Sequence, residues 1–520
     1  MEIEIKLLCD ATAVPAIADH KWLQQLSEST PKQSRITSIY FDTPEFFLRQ
    51  HGLGLRVRKI GRKWVQTLKG GGSVASGLHR REEWELPLAG KHPDLSALQS
   101  LVGAKSRQGK LLGTPKLAEQ LVPIFTTEFK RIAWPLRLPN GQKIECALDL
   151  GKITQGTKTE LISELELELK SGDACGLFEL AQQLMATFSF RLGHVSKAAR
   201  GYALCDPVTV IPVVNATDVN LAPDILVAQA GRRIFESCFD HIHGNETGVT
   251  HGRALESVHQ MRVGLRRLRS ALGLFGKTAH FPEALIDELR WITSELGGSR
   301  DWEILAFETL AIVADVFPSG EHAAVDIGAL QKAAIAMATE QRHRASAAVQ
   351  SERYAKMALA LGGWQHCEKW FSAVLSTETE VRQDLDSPLK EWVKPRLTAL
   401  FLKLVKRANR LSKSTSEQRH RARIAAKKLR YATEFFRTLY PKKETSEFLS
   451  KLKELQAALG WLNDAAVADA HLESLAGRTP ELAASAQFVR GWLAGRADKD
   501  VEVLAKAWKR FRSASLPWKT

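Results

Sequence analysis

No apolar run in this 520-residue chain is long enough to span a bilayer, so no membrane partner is expected. Cysteine is sparse. Cys9, Cys146, Cys175, Cys205, Cys238 and Cys367 lie scattered, with no CxxC pair. That spacing suggests neither a zinc site nor a disulfide framework, and a reducing cytoplasm is the expected location. The acidic N-terminus lacks the basic segment and apolar core of a signal peptide. There is no Walker A loop, and no nucleophilic Ser or Cys triad is evident. Negative charge is also short: 58 Asp and Glu face 73 Lys and Arg, a net charge of +15. This excess implies an anionic partner, whether nucleic acid, a membrane surface or a phosphorylated small molecule.

What is present divides by period. Up to about Cys205 the pattern alternates, as in strands: "MEIEIKL", "LGLRVRK", "WVQTLKG", "REEWELPL", "FTTEFKRIAW", "KIECALDLG" and "ELISELELELK". Gly70-Gly71-Gly72 and Asn140-Gly141 supply turns. Helical stretches interrupt near Val14–Leu26 and Gly176–Phe188. Residues 1–205 thus read as an α+β domain with a large antiparallel sheet. Cys205–Asp224 holds three prolines and few helix formers, which marks residues 206–222 as a linker. Beyond it the apolar spacing is helical, and 223–520 reads as an all-α domain. It also repeats: "HQMRVGLRRLRSA" (His259–Ala271) matches "HRARIAAKKLRYA" (His420–Ala432), and "LGGSRD" ending at Asp301 matches "LGWLND" ending at Asp464. Two units, about 223–380 and 381–520, are expected to pack as one helical bundle with pseudo-twofold character. Trp291, Trp302, Trp364, Trp370, Trp392, Trp461 and Trp492 are expected in cores.

Along a strand, residues i and i+2 share a face about 6.6 Å apart. Glu2, Glu4 and Lys6 therefore point together. So do Arg56 and Arg58; Thr67 and Lys69; Arg81, Glu83 and Glu85; Thr127, Phe129 and Arg131; Glu145, Ala147 and Asp149; and Glu164, Glu166 and Glu168. For any single strand a solvated face is the plain reading. Across the whole set, arginines and carboxylates dominate, and like charges across a ladder are destabilising. Such a face calls for ligands, and a closed or nearly closed barrel can enclose them. Carboxylates suit magnesium or manganese, and arginine and lysine suit phosphate oxygens. A polyphosphate chain with its metals is complementary to both.

These residues resemble a known family. "EIEIK" matches the ExExK signature of the CYTH superfamily, the triphosphate tunnel metalloenzymes. "YFDTP", "HGLGLRVR", "QTLKG", "GLHRREEWE", "SELELELKSG" and "SKAARGY" extend the match in order over about 205 residues. The second half, with "HQMRVGLRRLRS", resembles the CHAD domain, and the pairing is similar to bacterial CYTH–CHAD inorganic triphosphatases. The resemblance implies an eight-stranded antiparallel tunnel. It implies divalent metal on Glu2, Glu4, Glu164 and Glu166. Phosphate oxygens would lie on Lys6, Arg56, Arg58, Lys69, Arg81, Arg131 and Lys197. Glu83, Glu85 and Asp149 match further acidic positions of the catalytic set, without individual roles. The implied activity is metal-dependent hydrolysis of inorganic triphosphate. Other readings are a polyphosphate-binding protein with weak or no hydrolysis, a nucleotide or thiamine triphosphatase, and an adenylate cyclase.

In the helical half, His259, Arg262, Arg266 and Arg269 stand at offsets 0, 3, 7 and 10, and His420, Arg423, Lys427 and Arg430 repeat them. At 100° per residue each set forms a stripe about 80° wide and roughly 15 Å long. A solvated basic face, or histidines satisfied by backbone carbonyls, would explain one such stripe. The recurrence weakens both explanations, and the CHAD resemblance implies polyphosphate binding. Nucleic acid is the disfavoured competitor, because the stripes lack interleaved aromatics and no duplex-reading motif is present. Asp301 and Asp464 are expected to accept hydrogen bonds from the stripes or to cap helices.

Overall fold

The computed structural model describes every residue except 76, 207–211, 252–254, 318–324, 368–378, 410, 412–413 and 520. Part of the expected linker, the boundary near 380 and Trp370 thus fall wholly or partly outside the described residues. The chain forms two compact units: Met1–Pro212 with Gln350–Cys367, and Val213–Val349 with Glu368–Thr520.

The first unit is built on β1 (Glu2–Leu8), β2 (Lys32–Asp42), β3 (Gly54–Ile60), β4 (Lys63–Ala75), β5 (Leu78–Leu88), β6 (Val122–Arg137), β7 (Lys143–Gln155), β8 (Lys158–Ser171) and the short β9 (Arg191–Leu192). The order is β5-β4-β3-β2-β6-β7-β8-β1-β9, and β1 also pairs with β5. That pairing closes eight antiparallel strands into a barrel, as expected, with β9 added along β1. Closure removes the free edges that an open sheet would leave. Alternation then sends one side of every strand inward and the other outward. Outside, Phe41, Leu55, Val57 and Leu68 pack under Leu95, Leu98 and Leu112. The last three belong to the Leu95–Val102 and Arg107–Leu112 helices, which are N-capped by Asp94 and Ser106. Inside, Ile36, Tyr40, Phe125, Phe129, Ile153 and Ile162 cluster with Tyr202 of the Lys197–Cys205 helix. The other inward positions hold the charged side chains together with Ser34, Ser38, Thr67, Thr127 and Ala147.

Two expectations are corrected here. The scattered cysteines do contain a disulfide, Cys175–Cys367, spanning 192 residues. A pairing made by tertiary contact leaves no spacing signature. Residues 350–367 lie within the stretch read as the helical domain, yet they pack in the barrel's unit. There the Glu352–His366 helix lies against the Cys175–Thr187 helix. Gln182 Nε2 donates to the Leu359 carbonyl at 3.2 Å, and Phe178 stacks on His366 at 5.3 Å.

The second unit is helical. Its two motif copies form the Leu255–Phe275 and Ser416–Phe435 helices, and the second begins with a Thr415/Gln418 capping box. The copies diverge afterwards. Following the first come the Glu283–Glu295 and Gly297–Glu303 helices and a π-helical turn, Ile304–Thr309; following the second comes one helix, Lys442–Arg478. A shared core includes Leu305, Leu310, Leu330, Leu472 and Val489. Trp302 and Trp392 are buried here, and Trp364 is buried in the barrel's unit; Trp291, Trp461 and Trp492 are half-buried. Among the described residues, no helix is long and apolar enough to cross a membrane.

Candidate active site and basic helical face

Residues directly opposed on antiparallel strands share a face. The register therefore carries a single charged face around the barrel. Glu2 opposes Arg81 and Glu4 opposes His79. Lys6 opposes Glu166. Asp149 lies between Arg131 and Glu164. Lys69 opposes Glu83, and Thr67 opposes Glu85 and Arg56.

These side chains form two networks. In the first, Lys69 Nζ lies 2.6 Å from Glu2 and 3.4 Å from Glu83, and Arg56 reaches Glu83 at 3.1 Å. Glu85 accepts from Thr67 Oγ1 at 3.3 Å. In the second, Lys6 pairs with Glu4 at 2.8 Å and with Glu166. Arg131 binds Asp149 through two bonds of 2.7 Å and Glu166 at 2.5 Å. Lys197 sits between Asp149 at 2.7 Å, Glu164 at 2.5 Å and Glu166 at 3.0 Å. Glu168 lies aside, paired with Lys170 at 2.7 Å.

One oxygen each from Asp149, Glu164 and Glu166 fall within 4.8 Å of one another. An all-oxygen triad of this kind fits a hard divalent cation. Glu2 and Glu4 are outside it, held by Lys69 and Lys6. Burial opposes the charges of Lys6, Lys197 and Glu166, and their partners outweigh it. Glu166, Glu4 and Glu164 hold Lys6 above its usual range, and Asp149 and Glu164 do the same for Lys197. Lys197, Lys6 and Arg131 hold Glu166 well below the usual carboxylate range. Arg58 differs. Burial, then Arg56 and Arg131, pull it down to about 10. Among the described residues neither Arg58 nor Arg81 has a carboxylate within 4.0 Å. Such a guanidinium gains from an anion brought by a ligand.

Sequence reasoning passed over several residues that build this site. Arg200 donates to Glu160 at 2.6 Å and to Glu164 at 3.0 Å. Asp42, fully buried, accepts from the Thr43, Leu48 and Arg49 amides and from Tyr202 Oη at 2.8 Å. His79 is bound to the Gly193 carbonyl at 2.7 Å, and burial pushes it down to about 3. The signal lay in the quoted motifs "YFDTP", "GLHRREEWE" and "SKAARGY": His79 stands one step before Arg81, Glu83 and Glu85 on the same side of β5, whereas Asp42 and Arg200 belong to none of the alternating sets.

In the helical unit the two stripes meet. Arg266 Nε lies 3.3 Å from Tyr431 Oη. Arg262 donates to the Gly297 carbonyl at 2.7 Å and lies 3.9 Å from Asp301; Arg423 lies 3.5 Å from Asp464. Burial pulls Arg262, Arg423 and Lys427 down, Lys427 to about 7, with Arg423 and Arg266 adding to it. The histidines are not equivalent. His259 is half-buried, with Nδ1 unpartnered, and burial lowers it to about 4. His420 is exposed, its Nδ1 3.1 Å from Asn463. Among the described residues, neither is hydrogen-bonded to a backbone carbonyl. Arg430 lies over the Tyr431 ring and near Glu434. Arg269 is exposed and lines a separate cleft of about 640 Å³ with His280 and Glu283.

Residues 1–202 match the family model of the CYTH domain, and residues 233–473 match that of the CHAD domain. The chain is a CYTH–CHAD protein. An inorganic triphosphatase of Haemophilus influenzae (strain ATCC 51907 / DSM 11121 / KW20 / Rd) is 38% identical over 168 residues, covering 32% of this chain and 45% of the relative. An uncharacterized protein of Mycobacterium tuberculosis (strain CDC 1551 / Oshkosh) is 24% identical over 326 residues, covering 59% of this chain and 58% of the relative. The matched stretches thus span about half the length of these curated relatives. The crystal structure of the CHAD domain from the plant Ricinus communis has 33% identity and a TM-score of 0.51, covering 59% of this chain and 98% of that one. In this CYTH–CHAD chain the CHAD match runs through residues 350–367, the segment packed in the barrel's unit.

Proposed function

We propose that the barrel hydrolyses inorganic triphosphate to diphosphate and phosphate with a divalent metal, and that the helical unit binds polyphosphate. The observation that carries this reading is the oxygen triad of Asp149, Glu164 and Glu166 in a lumen that also holds Arg58 and Arg81, which among the described residues have no carboxylate within 4.0 Å. A pure anion binder gains nothing from buried carboxylates beside its ligand. The Haemophilus influenzae relative, named an inorganic triphosphatase, supports the choice of substrate.

Asp149, Glu164 and Glu166 would hold the metal, with Glu2 and Glu4 as further oxygen donors. Magnesium or manganese, when bound, neutralises phosphate charge and makes water a better nucleophile. The protein's own work is positioning and charge stabilisation, which phosphoryl transfer mainly requires. Arg56, Arg58, Arg81 and Lys69 hold the phosphate chain by its oxygens. Lys6, Lys197 and Arg131 stabilise charge on the terminal phosphoryl from fixed, desolvated positions. In the helical unit, the facing stripes of His259, Arg262, Arg266, Arg269 and His420, Arg423, Lys427, Arg430 offer a cationic face for a long polyanion.

The test is phosphate release from inorganic triphosphate, ATP, thiamine triphosphate and long-chain polyphosphate, each with magnesium, manganese or EDTA. Metal-dependent cleavage preferring inorganic triphosphate is expected. No hydrolysis of any substrate, with polyphosphate still bound, would make the chain a polyphosphate-binding protein.

A further inference from the structure

His79 is 1% exposed and directly opposes Glu4 across the β1–β5 ladder that closes the barrel. Its Nε2 lies 2.7 Å from the Gly193 carbonyl. A carbonyl oxygen only accepts, so Nε2 carries the proton and donates it. Gly193 in turn donates its amide to the Lys6 carbonyl at 2.9 Å. A side chain at 193 has no room: its Cβ would stand 2.9 Å from Lys6 Cβ and 3.3 Å from a Leu8 methyl. The preceding residues, Arg191 and Leu192, pair with Leu8 and Leu7. This stretch is therefore seated on β1 at the level of Lys6 and tied to β5 by the imidazole.

Three residues further on, Ser196 caps the Lys197–Cys205 helix, its Oγ accepting from the Ala199 amide at 3.2 Å. The first residue of that helix sends its ammonium between Asp149, Glu164 and Glu166. The other end of the helix is held by the Tyr202–Asp42 hydrogen bond. The helix is thus capped at its start by Ser196 and fastened toward its other end by Tyr202, and neither side chain is part of the oxygen triad.

We propose that His79 is a positioning residue for the triphosphatase reaction: through Gly193 it sets the Lys197 ammonium among the three carboxylates. This rests on the triphosphatase reading. Glutamine can present an amide N–H near the place of Nε2, whereas leucine and asparagine cannot reach it. The experiment measures kcat and KM for inorganic triphosphate with saturating magnesium, using the full chain. The variants are His79→Gln, His79→Asn, His79→Leu, Lys197→Met and the double variant His79→Leu with Lys197→Met. Melting curves confirm folding. Loss of a supporting hydrogen bond should lower kcat by about 10–100-fold in His79→Leu and His79→Asn, with KM changed less. His79→Gln should stay within about threefold of wild type, and His79→Leu should cost less than about threefold when Lys197 is already Met. Full kcat in His79→Asn, or losses from His79→Leu and Lys197→Met that multiply, overturn the proposal alone. A wild-type protein inert with every metal overturns it together with the triphosphatase reading.

Discussion

Replacing Glu166 by Gln should destabilise the metal-free barrel, and the size of the loss follows from its surroundings. The Glu166 side chain is 12% exposed and accepts from Lys6, from Lys197 at 3.0 Å and from Arg131 at 2.5 Å. Glutamine keeps the shape and loses the charge. Lys6, Lys197 and Arg131 would then share Glu4, Asp149 and Glu164. Removing one partner of a buried ion pair costs about 3–5 kcal/mol. The remaining carboxylates keep the expected loss near the lower end, about 3 kcal/mol. In a unit of this size 1 kcal/mol moves the melting temperature by about 2–4 °C, so the midpoint should fall by about 6–12 °C. The pH dependence has a definite sign. Burial pushes the carboxyl up, but the three cations hold it well below its usual range. Its contribution is therefore complete above the unfolded value of about 4.3 and is lost as pH falls below that. The gap between wild type and Glu166→Gln should be equal at pH 7 and pH 5 and narrower at pH 3.5. Circular-dichroism melts in EDTA at the three pH values read it. A drop under about 2 °C at pH 7, or a gap that stays constant down to pH 3.5, refutes the reasoning.

Lys427, lowered to about 7, must take up a proton to hold a polyanion at alkaline pH. Titration calorimetry should find long-chain polyphosphate bound about tenfold more tightly at pH 6 than at pH 8. Lys427→Met should flatten that slope, and a flat wild-type profile contradicts the role. The Cys175–Cys367 link closes a separation of 192 residues, for which chain entropy alone gives about 5 kcal/mol. Dithiothreitol should lower the melting temperature of wild type and leave Cys175→Ser unmoved; identical wild-type melts with and without reductant refute the link. A Cβ on Gly201 would stand 2.0 Å from the Phe125 ring, and overpacking of this kind costs about 1–3 kcal/mol. Gly201→Ala should therefore lower the denaturation midpoint and, by shifting the helix that carries Lys197, lower kcat. An unchanged midpoint and rate would show that the helix is not packed as described.

β1 and β3 to β8 are legible because their charges alternate with apolar residues. β2 is not: its lumen side carries Ser34, Ile36, Ser38 and Tyr40, and its first residues, from Lys32, are largely exposed. Its charges on that side, Lys32 and Asp42, stand at its two ends, so its middle adds nothing to the pattern that betrays its neighbours. The Lys197–Cys205 helix is short, and it reaches the carboxylates through one lysine at its first turn. The candidate site is legible in part. Glu164 and Glu166 do lie together, the third carboxylate beside them is Asp149, and Glu2 pairs with Lys69.

By itself the order of side chains determined the two periods, the charged side of each strand, the repeat of the basic stripes and the kind of ligand such a face would take. Those properties depend on neighbours two to four residues apart, which a strand or helix arranges on its own. Only the tertiary structure decided that β1 meets β5, that Lys6 faces Glu166 across 160 residues, that Cys175 meets Cys367 and that residues 350–367 pack with the barrel. The entropy of closing a loop grows slowly with its length. Sequence distance therefore does little to choose among long-range pairings. The choice falls to strand register and to which buried surfaces fit, and both exist only once the whole barrel has closed.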